Sequence, residues 1–205
     1  ELKGICGSYG LGNDGNELKT ITQVLLYKWR KDEFAFELKK INKDVANAGV
    51  KWEEAYISLS DNDKDMLRFE LGAKTAFLNS EHLISTLFNR QNESDFAKLF
   101  DDTLRDIAKQ NNDIFAVKTD GGTKITLFEQ NGLSNFISDE SKRDSFCRAI
   151  INKLADFSFE QIFNQKFDFF STIFEYLIRD YNKDGGGKYA EYYTPHAVSK
   201  IMASI

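Results

Sequence analysis

Glu191-Tyr192-Tyr193-Thr194-Pro195-His196 is the stretch of this chain whose residue types and order best suit a chemical task. Thr194 followed by Pro195 predicts a helix start. A threonine hydroxyl at the N-cap accepts from an orphan backbone N–H, and proline at the first helical position loses no needed donor. Val198, Ile201, Met202 and Ile205 continue as an apolar stripe at helical spacing. The amide end of such a helix seats a carboxylate or phosphate. Tyr192 and Tyr193 would supply a π-faced wall for a flat ligand, although packing in a core or interface is an equally ordinary use of two tyrosines.

The other motifs are weaker. Asp180-Tyr-Asn182-Lys-Asp184-Gly185, with Glu191, fits the EF-hand loop at every specified position. Against calcium, Gly187 stands where a branched apolar residue is usual, Pro195 would break the exiting helix, and no paired loop exists. Asp61-x-Asp63-x-Asp65 continues with Met66 instead of glycine. A solvated acidic glycine loop therefore accounts better for 180–191. Gly10-Leu-Gly12-Asn-Asp-Gly15 has the letters of a dinucleotide fingerprint but no preceding buried strand, so residues 1–16 read as a glycine-rich loop. Gly185-Gly-Gly-Lys188 lacks the first glycine and the hydroxyl residue of a P-loop. His82 and His196 are the sole histidines, and His82 reads as a surface or packing residue. No Ser/His/Asp or Cys/His arrangement suggests hydrolysis.

The 191–196 segment, preceded by Gly185–Gly187 and by Phe174-Glu-Tyr-Leu-Ile178, resembles the N6-adenine DNA methyltransferases, and within them the modification subunit of type I restriction–modification systems. Leu18 to Phe34 is similar to the early helix of that family's N-terminal helical domain. The resemblance implies S-adenosyl-L-methionine as cofactor, with Glu191, Tyr192, Tyr193, Thr194, Pro195 and His196 lining its site. It implies methyl transfer to N6 of an adenine flipped out of duplex DNA, an extrusion costing a few kcal/mol. The implied partners are the specificity and restriction subunits of the same system and the DNA itself. The family's Asp-Pro-x-x-Gly-x-Gly and Asn/Asp-Pro-Pro-aromatic motifs cannot be present, because Pro195 is the only proline. Catalytic residues are thus expected outside this chain, no metal ligands are assigned, and the 205 residues alone are expected to be inactive. The chain opens on Glu1, which fits a piece of a longer protein. A non-enzymatic helical binding module, with calcium in loop 180–191, is the alternative.

The elements that must carry this segment read as mainly α: a multi-helix N-terminal domain over 1–168 with one small β-hairpin at about 114–128. Residues 169–205 are expected to be a linking helix, the glycine-rich loop and the leading edge of a methyltransferase domain whose α/β body is missing. A long amphipathic helix is predicted from Glu17 to Ile41, with Leu18, Ile21, Leu25 and Trp29 on one face. Ser60-Asp-Asn-Asp63 and Ser141-Lys-Arg-Asp144 read as capping boxes, and Ser80 and Ser94-Asp95 as further helix starts. Phe163, Phe167, Phe170, Phe174 and Leu177 follow helical spacing. The 18 phenylalanines suggest a core of large side chains. No run reaches the roughly 18 apolar residues of a membrane span, and Cys6 and Cys147 read as reduced thiols of a cytoplasmic protein. With 27 Lys+Arg against 32 Asp+Glu the net charge is −5, so a DNA-binding parent must draw most phosphate contacts from elsewhere.

Overall fold

The computed structural model describes residues 1–12, 15–112, 117–118, 124–125, 128, 131–164, 172–173, 175–177 and 196–203. The described fold is mainly α. Its helices are α1 (Leu2–Ser8), α2 (Gly15–Ile41), α3 (Lys43–Asn47), α4 (Trp52–Ile57), α5 (Asp61–Leu71), α6 (Ile84–Arg90), α7 (Phe96–Gln110), α8 (Arg143–Ala155) and α9 (His196–Met202). Two short strands, β1 (Val117–Lys118) and β2 (Lys124–Ile125), pair antiparallel with Val117 opposite Ile125, inside the span expected for the hairpin.

Helix α8 packs against α7, α6 and α1, while α2 runs past α5 and α3. Phe34 of α2 meets Trp52, Tyr56 and Phe77 edge-on, with ring centroids 6.4, 5.3 and 5.6 Å away. Such edge contacts add about 0.5–1.5 kcal/mol each beyond burial.

An irregular stretch, Thr75–Leu78, crosses this core fully buried. Buried backbone polar groups outside a helix or sheet must find side-chain partners. Asn111 supplies two: its Oδ1 accepts from Phe77 N at 2.8 Å, and its Nδ2 donates to Phe77 O at 3.0 Å. The Tyr56 hydroxyl donates to Leu78 O at 2.7 Å and the Tyr27 hydroxyl to His82 O at 2.6 Å. His82 is itself buried: its Nδ1 accepts from Asn79 N at 3.2 Å and its Nε2 lies 2.8 Å from Asp106 Oδ2. It is a packing residue in the short 3-10 turn Ser80–His82, and the helix proper begins only at Ile84.

Several local expectations are corrected. Residues 2–8 are helical instead of loop, because Cys6 and Leu11 enter the core and tie the segment down. The buried residues of α2 include Ile21, as expected, with Val24, Tyr27, Lys28, Lys31, Phe34 and Leu38, a stripe rotated away from Leu18, Leu25 and Trp29. The second aromatic layer explains that rotation: Trp29 packs on Phe159 and Phe163 at 5.7 and 4.6 Å. The Ser60 cap forms as expected, accepting from Asp63 N at 3.2 Å. The Ser141 box does not. Asp139 caps that turn instead, and Asp144 reaches across to accept from Ala97 N at 2.8 Å, capping α7 from a neighbouring helix.

Asp101 holds the next loop, accepting from Ser134 N at 3.2 Å and from its hydroxyl at 2.6 Å. Gly132 adopts φ +80° there, and a Cβ on it would collide with the Asp101 carboxylate. Replacing Asn111 with Leu leaves the Phe77 N–H and C=O buried and unpaired. Urea denaturation of that variant is expected to show a loss of roughly 2–5 kcal/mol; a loss below about 1 kcal/mol would mean these groups have other partners.

Candidate functional site

Of the six residues that the sequence assigns to a cofactor site, Glu191, Tyr192, Tyr193, Thr194 and Pro195 lie outside the described residues. His196 is the first residue of α9. The loop 180–191, with its calcium pattern, also lies outside them, as do Phe167, Phe170 and Phe174. The apolar side chains Val198, Ile201 and Met202 of α9 are exposed. Among the described residues no group of three or more His, Cys, Asp or Glu could hold a metal, and no helix is long and apolar enough to cross a membrane.

The structure does show how the chain leading into this segment is anchored. Phe159 N donates to Asp32 Oδ2 at 2.7 Å, and Lys39 Nζ lies 2.5 Å from Glu160 Oε2. Trp29 covers Phe159 and Phe163, and Phe36 meets Phe163 at 5.5 Å. Residues 172–173 and 175–177 are helical, and Leu177 joins the hydrophobic core with Ile173 packed against it.

Asp32 is the centre of a buried charge cluster that motif reading did not find. Its Oδ1 lies 3.2 Å from Lys28 Nζ and 3.3 Å from Lys31 Nζ. Lys31 reaches 2.6 Å to Glu53 Oε1 on α4, whose other oxygen accepts from Ser85 N at 3.3 Å. Two ammonium groups thus face two carboxylates. Lys31 lies over the Trp52 ring at 4.9 Å and Lys28 over Phe157 at 5.3 Å. Burial, helped by repulsion from Lys31, holds the Lys28 ammonium below its ordinary pKa, with Asp32 opposing. For Lys31 burial also pulls downward, but Glu53 and Asp32 outweigh it and hold that pKa above the ordinary value. The one available signal was the i, i+4 spacing of Lys28 and Asp32.

Beside the cluster opens a cleft of about 1010 Å³, with Trp52, Ile57, Ile84 and Phe88 among its lining. Its lysines Lys28, Lys31, Lys39 and Lys51 each have an acidic partner. The cleft therefore offers no unbalanced positive charge for phosphates. Cys6 adds no nucleophile, since burial pushes its thiol up to about 12, and Cys147 is likewise raised by burial.

Removing one member of a buried ion cluster costs far more than removing the whole of it. Asp32→Ala strands Lys28 and the Phe159 amide while Lys31 keeps Glu53, and denaturant melts should show a loss of about 3–5 kcal/mol. Lys28→Met should cost less than about 1 kcal/mol, because Asp32 keeps Lys31 and the Phe159 amide while the methionine escapes the desolvation of the ammonium. The pH dependence carries a definite sign. A lysine depressed in the folded state binds fewer protons there than when unfolded, so its contribution to stability rises with pH toward 10.5. Subtracting the Lys28→Met curve from that of the wild type should reveal this rise, and a flat difference would contradict the assignment.

Residues 165–205 match the family model described as N-6 DNA methylase, which supports an adenine DNA methyltransferase family for that fifth of the chain. No curated protein and no solved structure matches it.

Proposed function

We propose that this chain is the N-terminal part of the adenine-N6 DNA methyltransferase subunit of a type I restriction–modification system, acting in the cytoplasm with S-adenosyl-L-methionine. The observation that carries the reading is the methylase family match over 165–205, which contains the Glu191-Tyr-Tyr-Thr-Pro-His196 segment. Residues 1–168 would form the helical domain and 169–205 the approach to the catalytic domain.

In this assignment Tyr192 and Tyr193 pack against the cofactor, while Thr194 and the amide end of α9 receive its carboxylate. Glu191, Pro195 and His196 complete that wall. The cofactor supplies the methyl group. The chain's own contribution would be to present one side of the pocket from an anchored helical body, whose contacts include those of Phe159, Glu160 and Leu177. The helical domain would dock on the specificity subunit, with the restriction subunit and duplex DNA completing the assembly. The balanced cleft and the overall acidic charge fit a part that touches protein over more of its surface than DNA.

The test is methyl transfer from labelled S-adenosylmethionine to unmethylated duplex DNA by the complete gene product together with its neighbouring subunits. Label is expected in N6-methyladenine; none, or label on cytosine, would overturn the assignment. Tyr193→Ala in that protein should weaken cofactor binding about tenfold, from the loss of one aromatic packing partner. The 205-residue chain alone should bind the cofactor weakly or not at all, and tight calorimetric binding would contradict its role as a single wall of the pocket.

A further inference from the structure

Helix α5 carries an apolar stripe that nothing in the described fold covers. Phe69 is 87% exposed and Met66 57%, three residues apart on one face. Asn62, one turn before Met66, lies on the same face and places its amide 3.9 Å from the thioether sulfur. On the opposite face Leu67 is the buried residue that attaches α5 to the core.

The charges of α5 are sorted around this stripe. At about 100° per residue, Asp61 and Asp65 fall along one edge, Asp63 and Glu70 along the other. Both cations of the helix turn back toward the core. Lys64 Nζ donates to Ile57 O at 3.1 Å and lies 5.6 Å from the Tyr56 ring centre, and the Arg68 guanidinium stands 5.5 Å from that of Phe77. Asp63 accepts from the Ser60 hydroxyl, while Asp61, Asp65 and Glu70 have no cation partner among the described residues. The outward face is thus apolar in the middle and anionic on both flanks.

We infer that this face of α5 docks a basic amphipathic segment of a protein partner, one whose large aliphatic or aromatic side chains cover Met66 and Phe69 and whose lysines or arginines meet the flanking carboxylates. Charge complementarity selects this occupant. Duplex DNA would bring phosphates against four carboxylates and leave Phe69 without apolar cover. An acidic segment would meet the same repulsion. Eleven residues of helix run about 16 Å, which matches three turns of an opposing helix packed ridge into groove. This surface does not depend on the methyltransferase assignment, since α5 lies outside the segment that matches the methylase family.

Fluorescence anisotropy on the 205-residue chain tests it, with a labelled helical peptide of leucines at i, i+3, i+4 and i+7 flanked by lysines as the probe. The expected result is saturable binding that weakens at least about tenfold in Phe69→Ser and comparably in the triple variant Asp61→Asn, Asp65→Asn, Glu70→Gln. Binding should also weaken with added salt. The same peptide with glutamates for lysines should not bind, and Val50→Ser beside the cleft should bind as the wild type does. These residues are exposed, so thermal melts of the variants should match the parent and separate lost docking from lost folding. Equal affinity for both peptides, or binding unchanged in Phe69→Ser, would overturn the proposal. So would a labelled DNA duplex that loses affinity when Phe69 is replaced.

Discussion

The described helices depend on satisfying an irregular backbone inside their shared core. Thr75–Leu78 runs through the centre without the ladder of a sheet or the internal bonds of a helix. An amide buried without a partner costs about 1–3 kcal/mol. That requirement dictates which polar side chains are buried and where they come from. Asn111 at the end of α7, Tyr56 on α4 and Tyr27 on α2 each deliver a hydrogen bond to this stretch or to the turn beyond it. Three helices distant in sequence are therefore held in register by one short segment. His82 and Asp106 close the turn that follows.

A second constraint operates where α2 meets α4 and the chain after α8. Here the protein buries two lysines against two carboxylates beside Trp52 and Phe157. Such a cluster adds little net stability, but each member fixes the others because an unpaired buried charge is so costly. Asp32 also receives the Phe159 amide, so the cluster sets where the chain departs toward residues 165–205. The aromatic layer of Trp29, Phe36 and Phe163 covers the same departure point.

The body of helices and the segment that matches the methylases differ in character. The helical body is acidic overall, its cleft is charge-balanced, and it carries an uncovered apolar face on α5. These are properties suited to contacts with protein. The segment that matches the DNA methylases follows this body, and Ile173 and Leu177 within it join the core. A scaffold that positions one wall of a site while other polypeptide supplies the remainder would have this character.

The mainly α architecture, the span of α2, the Ser60 cap and the hairpin region were legible because each rests on local periodicity or a local cap. The likeness of residues 191–196 to the methylases was legible for a different reason: a six-residue order of side chains is itself a linear signal. Which face of α2 turns inward was not legible. Leu18, Leu25 and Trp29 are apolar enough to claim the core, but Lys28, Lys31 and Asp32 entered it, because their charges found partners on α4 and near Phe159. The cap on α7 likewise comes from Asp144 on another helix, and the buried stretch around Phe77 is held by an asparagine 34 residues away. Sequence alone determined what could be satisfied within a turn or two of chain. Tertiary structure decided everything whose partner is distant, since burial becomes tolerable for a polar group only once that partner has arrived.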